Sequence, residues 1–159
     1  MTVGAPSSDQ RDLWFLNTRV LIRVSYQDGA DTISVLEHWA AFRDGPPLHV
    51  HQREDEVFQV LAGEVRFRIG DREQMAGAGD ILLVPQGTPH TYRVESPEGA
   101  RFLTVTCGRE FEDFVRAYGR PAEHDGLPGL SGPPTPEQAE ALTQAARQYG
   151  IEFVGPPLT

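Results

Sequence analysis

A chain of 159 residues has the length for one domain with a sizeable core and not for a second large domain. Acids outnumber bases 23 to 14, for a net charge of −9, and every base is Arg; without a basic cluster the chain is a poor partner for nucleic acid or an anionic membrane. The absence of Lys excludes Schiff-base chemistry and a P-loop, and the single Cys107 excludes an intrachain disulfide or a multi-cysteine zinc site.

Taken in chain order, residues 1–12 are polar, with Gly4 and Pro6, and read as an N-terminal arm. Met1 to Gln10 contains no apolar run behind positive charge, and no stretch approaches the ~18 apolar residues of a spanning helix, so the expected location is the cytoplasm. Residues 13–107 predict strands. Arg19–Ser25 and Thr32–Phe42 are rich in β-branched and aromatic residues, and Glu64–Ile69 alternates with Val65, Phe67 and Ile69 on one face. Asp80–Val84, His90–Val94 and Arg101–Cys107 complete the set, with Gly- and Pro-bearing turns between them. Short strands at such intervals predict a sandwich or barrel.

After Gly108 the pattern changes. Phe111, Phe114, Val115 and Tyr118 recur at helical spacing until Gly119-Arg120-Pro121. A Gly- and Pro-rich loop follows. Thr135, Pro136 and Gln138 then form a capping box with Pro at the first helical position, Ala139, Leu142, Ala146 and Tyr149 make an apolar face, and Gly150 suits the C-terminus. Residues 108–159 are expected as a helical extension packed on the outside of the barrel, with a lid or a dimer contact as the alternatives; the last residues are expected to be extended.

Chemistry concentrates in two segments. Behind Gly45-Pro46-Pro47, His49 and His51 sit two apart on an extended segment and face the same side. Glu56 starts the next strand on the face of Phe58, Val60 and Ala62, where an unpaired carboxylate is costly to bury. His90 comes from a third strand after Gly87. Three imidazoles and one carboxylate form a donor set suited to Fe, Ni, Co, Mn, Cu or Zn and unsuited to Ca or Mg. Of the neighbouring acids, Asp55 is expected on the opposite face and Glu54 solvated in the turn.

The two segments resemble the paired motifs of the cupin superfamily. In the first, His49-x-His51, Glu56 and Gly63 keep the family spacing, although Gly45 stands two residues late; in the second, Gly79, Pro85, Gly87 and His90 match, whereas Val94 replaces the final Asn. The resemblance implies a mainly β fold, a cupin double-stranded β-helix (jelly-roll barrel) with one metal centre, here carrying a C-terminal helical extension. The run Gly45–Glu64 and the C-terminal extension are most similar to the quercetin dioxygenase-like small monocupins. That similarity implies a dioxygenase acting on a small aromatic, flavonol- or polyketide-like molecule, with dioxygen as co-substrate and Glu56 as general base. The alternatives are a non-redox metal-dependent cyclase or isomerase, with His38 or Tyr92 carrying protons, and a binding protein without turnover. The family also suggests a homodimer.

Candidate pocket residues are His38, Phe58, Phe67, Tyr92 and Phe102; His38 reads first as a buried histidine bonded to backbone, Tyr92 equally as pocket or core, and the phenylalanines first as core. His124 is expected to be solvated, and Cys107 to be a buried, inert thiol.

Overall fold

The computed structural model describes residues 10–129 and 131–159; residues 1–9 of the expected arm fall outside them, and Asp12 already opens a strand. The strands are β1 (Asp12–Phe15), β2 (Thr18–Val24), β3 (Ile33–Ala40), β4 (Leu48–His51), β5 (Glu56–Ala62), β6 (Val65–Ile69), β7 (Arg72–Ala76), β8 (Ile81–Val84), β9 (His90–Val94) and β10 (Ala100–Cys107). They are followed by α1 (Glu110–Tyr118), β11 (Arg120–Pro121), α2 (Pro136–Gln148) and β12 (Ile151–Gly155).

Two antiparallel sheets result. One runs β11-β1-β2-β3-β10-β5-β8, the other β12-β4-β9-β6-β7. From β3 to β10 the chain passes back and forth between the sheets, with β6 and β7 paired in one of them, as in a double-stranded β-helix, and the mainly β expectation with a C-terminal helical segment holds. Alternation directs Phe58, Val60, Phe102, Val65, Phe67 and Val94 into one apolar cluster between the sheets. A second cluster joins Leu13, Phe15, Val20, Ile22 and Leu36 to Phe114 and Val115 of α1, Ala146 of α2 and Ile151 of β12.

The helices thus pack against β1, β2 and β12 through Phe114, Val115 and Ala146. This contact removes apolar surface of the helices and of β1 and β2 from water. The capping box of α2 forms as read: Gln138 N donates to Thr135 Oγ1 at 3.2 Å and Thr135 N to Gln138 Oε1 at 2.9 Å. Gly150 ends the helix at φ +68°. The tail then re-enters the five-stranded sheet as β12 beside β4, pairing Ile151 with His51 and Phe153 with His49. The C-terminus thus braces the strand that carries two of the histidines.

A buried carboxylate locks α1 to the sheet. Glu112 accepts from Ser25 Oγ (2.6 Å), Ser34 Oγ (2.5 Å), Tyr26 N (3.0 Å) and Arg116 Nε (3.0 Å). These bonds offset its desolvation, and its pKa falls below the ordinary carboxylate value despite burial. Cys107 departs from expectation: it is exposed at the end of β10, because its alternation places it on the outer face with Val105. β7 is a strand the sequence does not announce. Arg72-Glu73-Gln74-Met75 is exposed throughout, as an edge strand permits, and so carries no alternation of apolar residues.

Candidate metal centre

Three strands and two turns bring the expected residues together. β4 supplies His49 and His51, β5 supplies Glu56 and β9 supplies His90, with His49 directly opposite His90. Pro46 and Pro47 keep the approach to β4 extended. Gly45 is needed there: a Cβ would lie 2.0 Å from the carbonyl oxygen of Tyr92, so only glycine lets the loop cross β9. Gly87, at φ +80°, shapes the turn before His90, and its N–H donates to His51 O at 2.9 Å, tying one motif to the other. Asp55 faces away and accepts from Gln86 N at 2.8 Å, a second tie between the two segments.

The ligand-type atoms of His49, His51, Glu56 and His90 all lie within 4.8 Å of one another. Donors about 2.0–2.2 Å from one ion stand within roughly this distance of each other, so the cluster can hold a metal ion. Backbone carbonyls orient two of the rings: His49 Nδ1–H donates to Pro47 O at 2.8 Å and His90 Nδ1–H to Thr88 O at 2.9 Å. Each ring then turns Nε2 toward the cluster, where the proton that His90 Nε2 shares with Glu56 would give way to a bound ion. His90 Nε2 lies 2.9 Å and His51 Nε2 3.4 Å from Glu56 Oε2. Both ring nitrogens of His51 are buried without a hydrogen-bond partner among the described residues, a costly state that a bound cation relieves.

The electrostatics suit donors. Burial, joined by the charges of His90 and His51, pushes His49 down to about 3, so its ring is neutral at physiological pH. Burial works to raise Glu56, but the His51 charge and the His90 hydrogen bond outweigh it and hold the carboxyl at about 2. Burial likewise opposes the charge on His51, yet the charges of Glu56 and Glu54 prevail, and its pKa lies above the ordinary value.

The cluster borders a cavity of about 530 Å³. Of the expected pocket residues, His38, Phe58, Tyr92 and Phe102 line it and Phe67 does not. Phe67 is buried beside Phe58, ring centres 5.0 Å apart, because β6 lies one strand further than β9 from the histidine-bearing β4. His38 is buried and lines the cavity, but its Nε2 pairs with Thr104 Oγ1 at 3.0 Å rather than with backbone. Its ring stacks between Phe102 (5.0 Å) and Phe111 (6.1 Å). Burial lowers its pKa to about 4 and leaves it neutral. Burial, then the charges of Asp44 and Glu56, raises Tyr92 well above the ordinary phenol, so its hydroxyl keeps its proton.

Other cavity residues come from parts of the sequence read only as core or loop: Phe15, Asp44, Phe111, Phe114 and Phe153. Helical spacing marked Phe111 and Phe114 as apolar without showing what they face. Glu54 also differs from expectation. It is buried, not solvated, because the start of α1 closes over the β4–β5 turn. His124 is exposed as expected; its ring meets Trp14 edge-on at 4.7 Å.

Two outcomes follow from this geometry. His49→Ala and His90→Ala should each lose bound metal, measured by elemental mass spectrometry, while circular dichroism shows a folded β protein; full occupancy in either variant contradicts the ligand assignment. Metal affinity should fall as pH drops through the raised His51 value, because a proton must leave that ring before it can bind. His49, titrating near 3, should add no dependence above about pH 4. Titrations across pH would show a flat profile if His51 were not a ligand.

Comparisons with known proteins agree with the fold and the motifs. Residues 38–106 match the Cupin domain family model. The chain is 31% identical over 111 residues to quercetin 2,3-dioxygenase of Bacillus subtilis, covering 70% of this chain; it spans about a third (32%) of that relative's length. Among solved structures, KdgF from a Halomonas species superposes with a TM-score of 0.55 at 14% identity, covering 69% of this chain and 99% of that one. An RmlC-like cupin from Shewanella frigidimarina gives a TM-score of 0.55 at 18% identity, covering 70% and 95%. With both motifs in register on this double-stranded β-helix, the chain belongs to the cupin superfamily.

Proposed function

We propose that the protein is a metal-dependent dioxygenase acting on a small aromatic substrate of flavonol or polyketide type. The observation that carries this reading is the placement of a three-histidine, one-carboxylate cluster against an aromatic-lined cavity of about 530 Å³, a size that accepts a multi-ring molecule. The similarity to a relative named for quercetin supports the same substrate class.

His49, His51, Glu56 and His90 would hold the ion, one of Fe, Ni, Co, Mn, Cu or Zn. When bound, such an ion acidifies an aromatic hydroxyl and leaves coordination positions open. The remaining work falls to the chain. Glu56, ionised and with Oε2 facing His51 and His90, offers its other oxygen, Oε1, to a substrate hydroxyl proton. Phe15, Phe102, Phe111 and Phe153 flank a planar ring and keep water from it. Tyr92 serves as a hydrogen-bond donor, since its proton is held tightly.

One observation favours a second reading, a non-redox isomerase or cyclase: His38 is neutral, lines the cavity and is oriented by Thr104, as a proton carrier would be. Oxygen uptake separates the two. The protein loaded with Fe, Ni, Co or Mn should consume dioxygen with flavonols or catechols, and Glu56→Gln should slow this about 100-fold or more. Turnover without oxygen uptake would favour the isomerase. Absence of any turnover across a broad panel, with metal bound, would overturn both and leave a binding protein.

A further inference from the structure

Beyond the four cluster residues, one acid is placed in a way that solvation does not explain. Glu54 is 2% exposed in a turn between two cluster strands. Its Oε1 accepts from Glu110 N at 2.7 Å, and Phe111 N approaches Oε1 and Oε2 at 3.4 and 3.3 Å, so it closes the first turn of α1. Its Oε2 lies 3.7 Å from Nδ1 of His51. That nitrogen is buried and has no hydrogen-bond partner among the described residues. His49 and His90 each have Nδ1 held by a backbone carbonyl, whereas His51 has no such carbonyl and faces Glu54 instead.

Space at this point is reserved for the carboxylate. A Cβ on Gly108 would lie 2.6 Å from Glu54 Oε1 and 2.8 Å from its Cγ. Phe111, whose N–H approaches Glu54, packs its ring 5.6 Å from His51 and also lines the cavity. One carboxylate therefore joins a cluster imidazole to the helix that forms the cavity wall.

We propose that Glu54 is a positioning residue: it receives the Nδ1–H of His51, so that Nε2 is turned to the metal, and it passes occupancy of the metal site to α1 and its Phe111 wall. A move of less than 1 Å brings Oε2 and Nδ1 into hydrogen-bond range. Carboxylate partners of ligating imidazoles fix the tautomer and raise ligand basicity. Filling the site then tightens the start of α1 and closes the cavity around whatever lies in it. This inference rests on the metal-site reading but not on the oxygenase reading, and its readouts need no substrate.

The test compares Glu54→Gln with Glu112→Gln. The second loosens α1 through a carboxylate bonded to Ser25 and Ser34, with no contact to the histidines, and so reports what helix docking alone does. Co²⁺ titration followed by visible absorption should show affinity about 10- to 100-fold weaker in Glu54→Gln and near wild type in Glu112→Gln. Hydrogen exchange at the start of α1 should slow on Co²⁺ addition in the wild type and in Glu112→Gln, and not in Glu54→Gln. In the metal-free wild type at alkaline pH, ¹⁵N shifts should show His51 protonated at Nδ1, with the proton redistributed in Glu54→Gln. Equal losses of affinity in the two variants would reduce Glu54 to a helix tie and overturn the proposal, as would an unchanged His51 tautomer. A wild type that binds no Co²⁺ would sink the metal-site reading, while the His51 shifts still decide whether Glu54 positions that ring. Should Glu54→Gln fail to fold, Gly108→Ala, which displaces the same carboxylate, should weaken Co²⁺ binding in the same way; unchanged affinity there would also overturn it.

Discussion

A carboxylate buried among three imidazoles is the constraint around which the molecule is arranged. Glu56 sits on a strand face otherwise occupied by Phe58 and Val60, and isolated burial of its charge would be prohibitive. His90 and His51 face its Oε2, and His49 completes the set. Each strand that contributes must be held in register, because a one-residue slip would turn its side chain out of the cluster. The turn at Gly87, the loop at Gly45 and the return of β12 beside β4 all serve that register.

The C-terminal segment shows how structure and site depend on one another. α1 and α2 pack on apolar residues of β1 and β2, and residues of both helices line the cavity. Packing and function share residues here. Phe111 belongs to the second apolar cluster, stacks on His38 and lies beside His51. Two buried carboxylates, Glu54 and Glu112, fasten this helix, one at the metal cluster and the other at the sheet.

Much of this was legible in the sequence, for physical reasons. Alternation marked Val65–Ile69, and Thr135, Pro136 and Gln138 marked the start of α2, because those signals are local. The cluster residues were legible because strand geometry alone puts His49 and His51 on one face and Glu56 in an apolar row. What escaped was set by distant contacts. Glu54 looked like a turn acid until α1, more than fifty residues on, closed over it. Phe67 was indistinguishable from Phe58 and Phe102, since alternation gives the face but not how far along the sheet from β4 a strand lies. The exposed thiol of Cys107 and the edge strand β7 escaped for a related reason: the outer faces and edges of a sheet carry no inward pattern.

The central claim is that these four side chains bind one transition metal ion together. X-ray absorption spectroscopy of the protein loaded with one equivalent of Co²⁺ tests it most directly. The account predicts a shell of nitrogen and oxygen at about 2.0–2.2 Å with outer scattering from three imidazoles. A shell without imidazole scattering, or with that of only one ring, would contradict it.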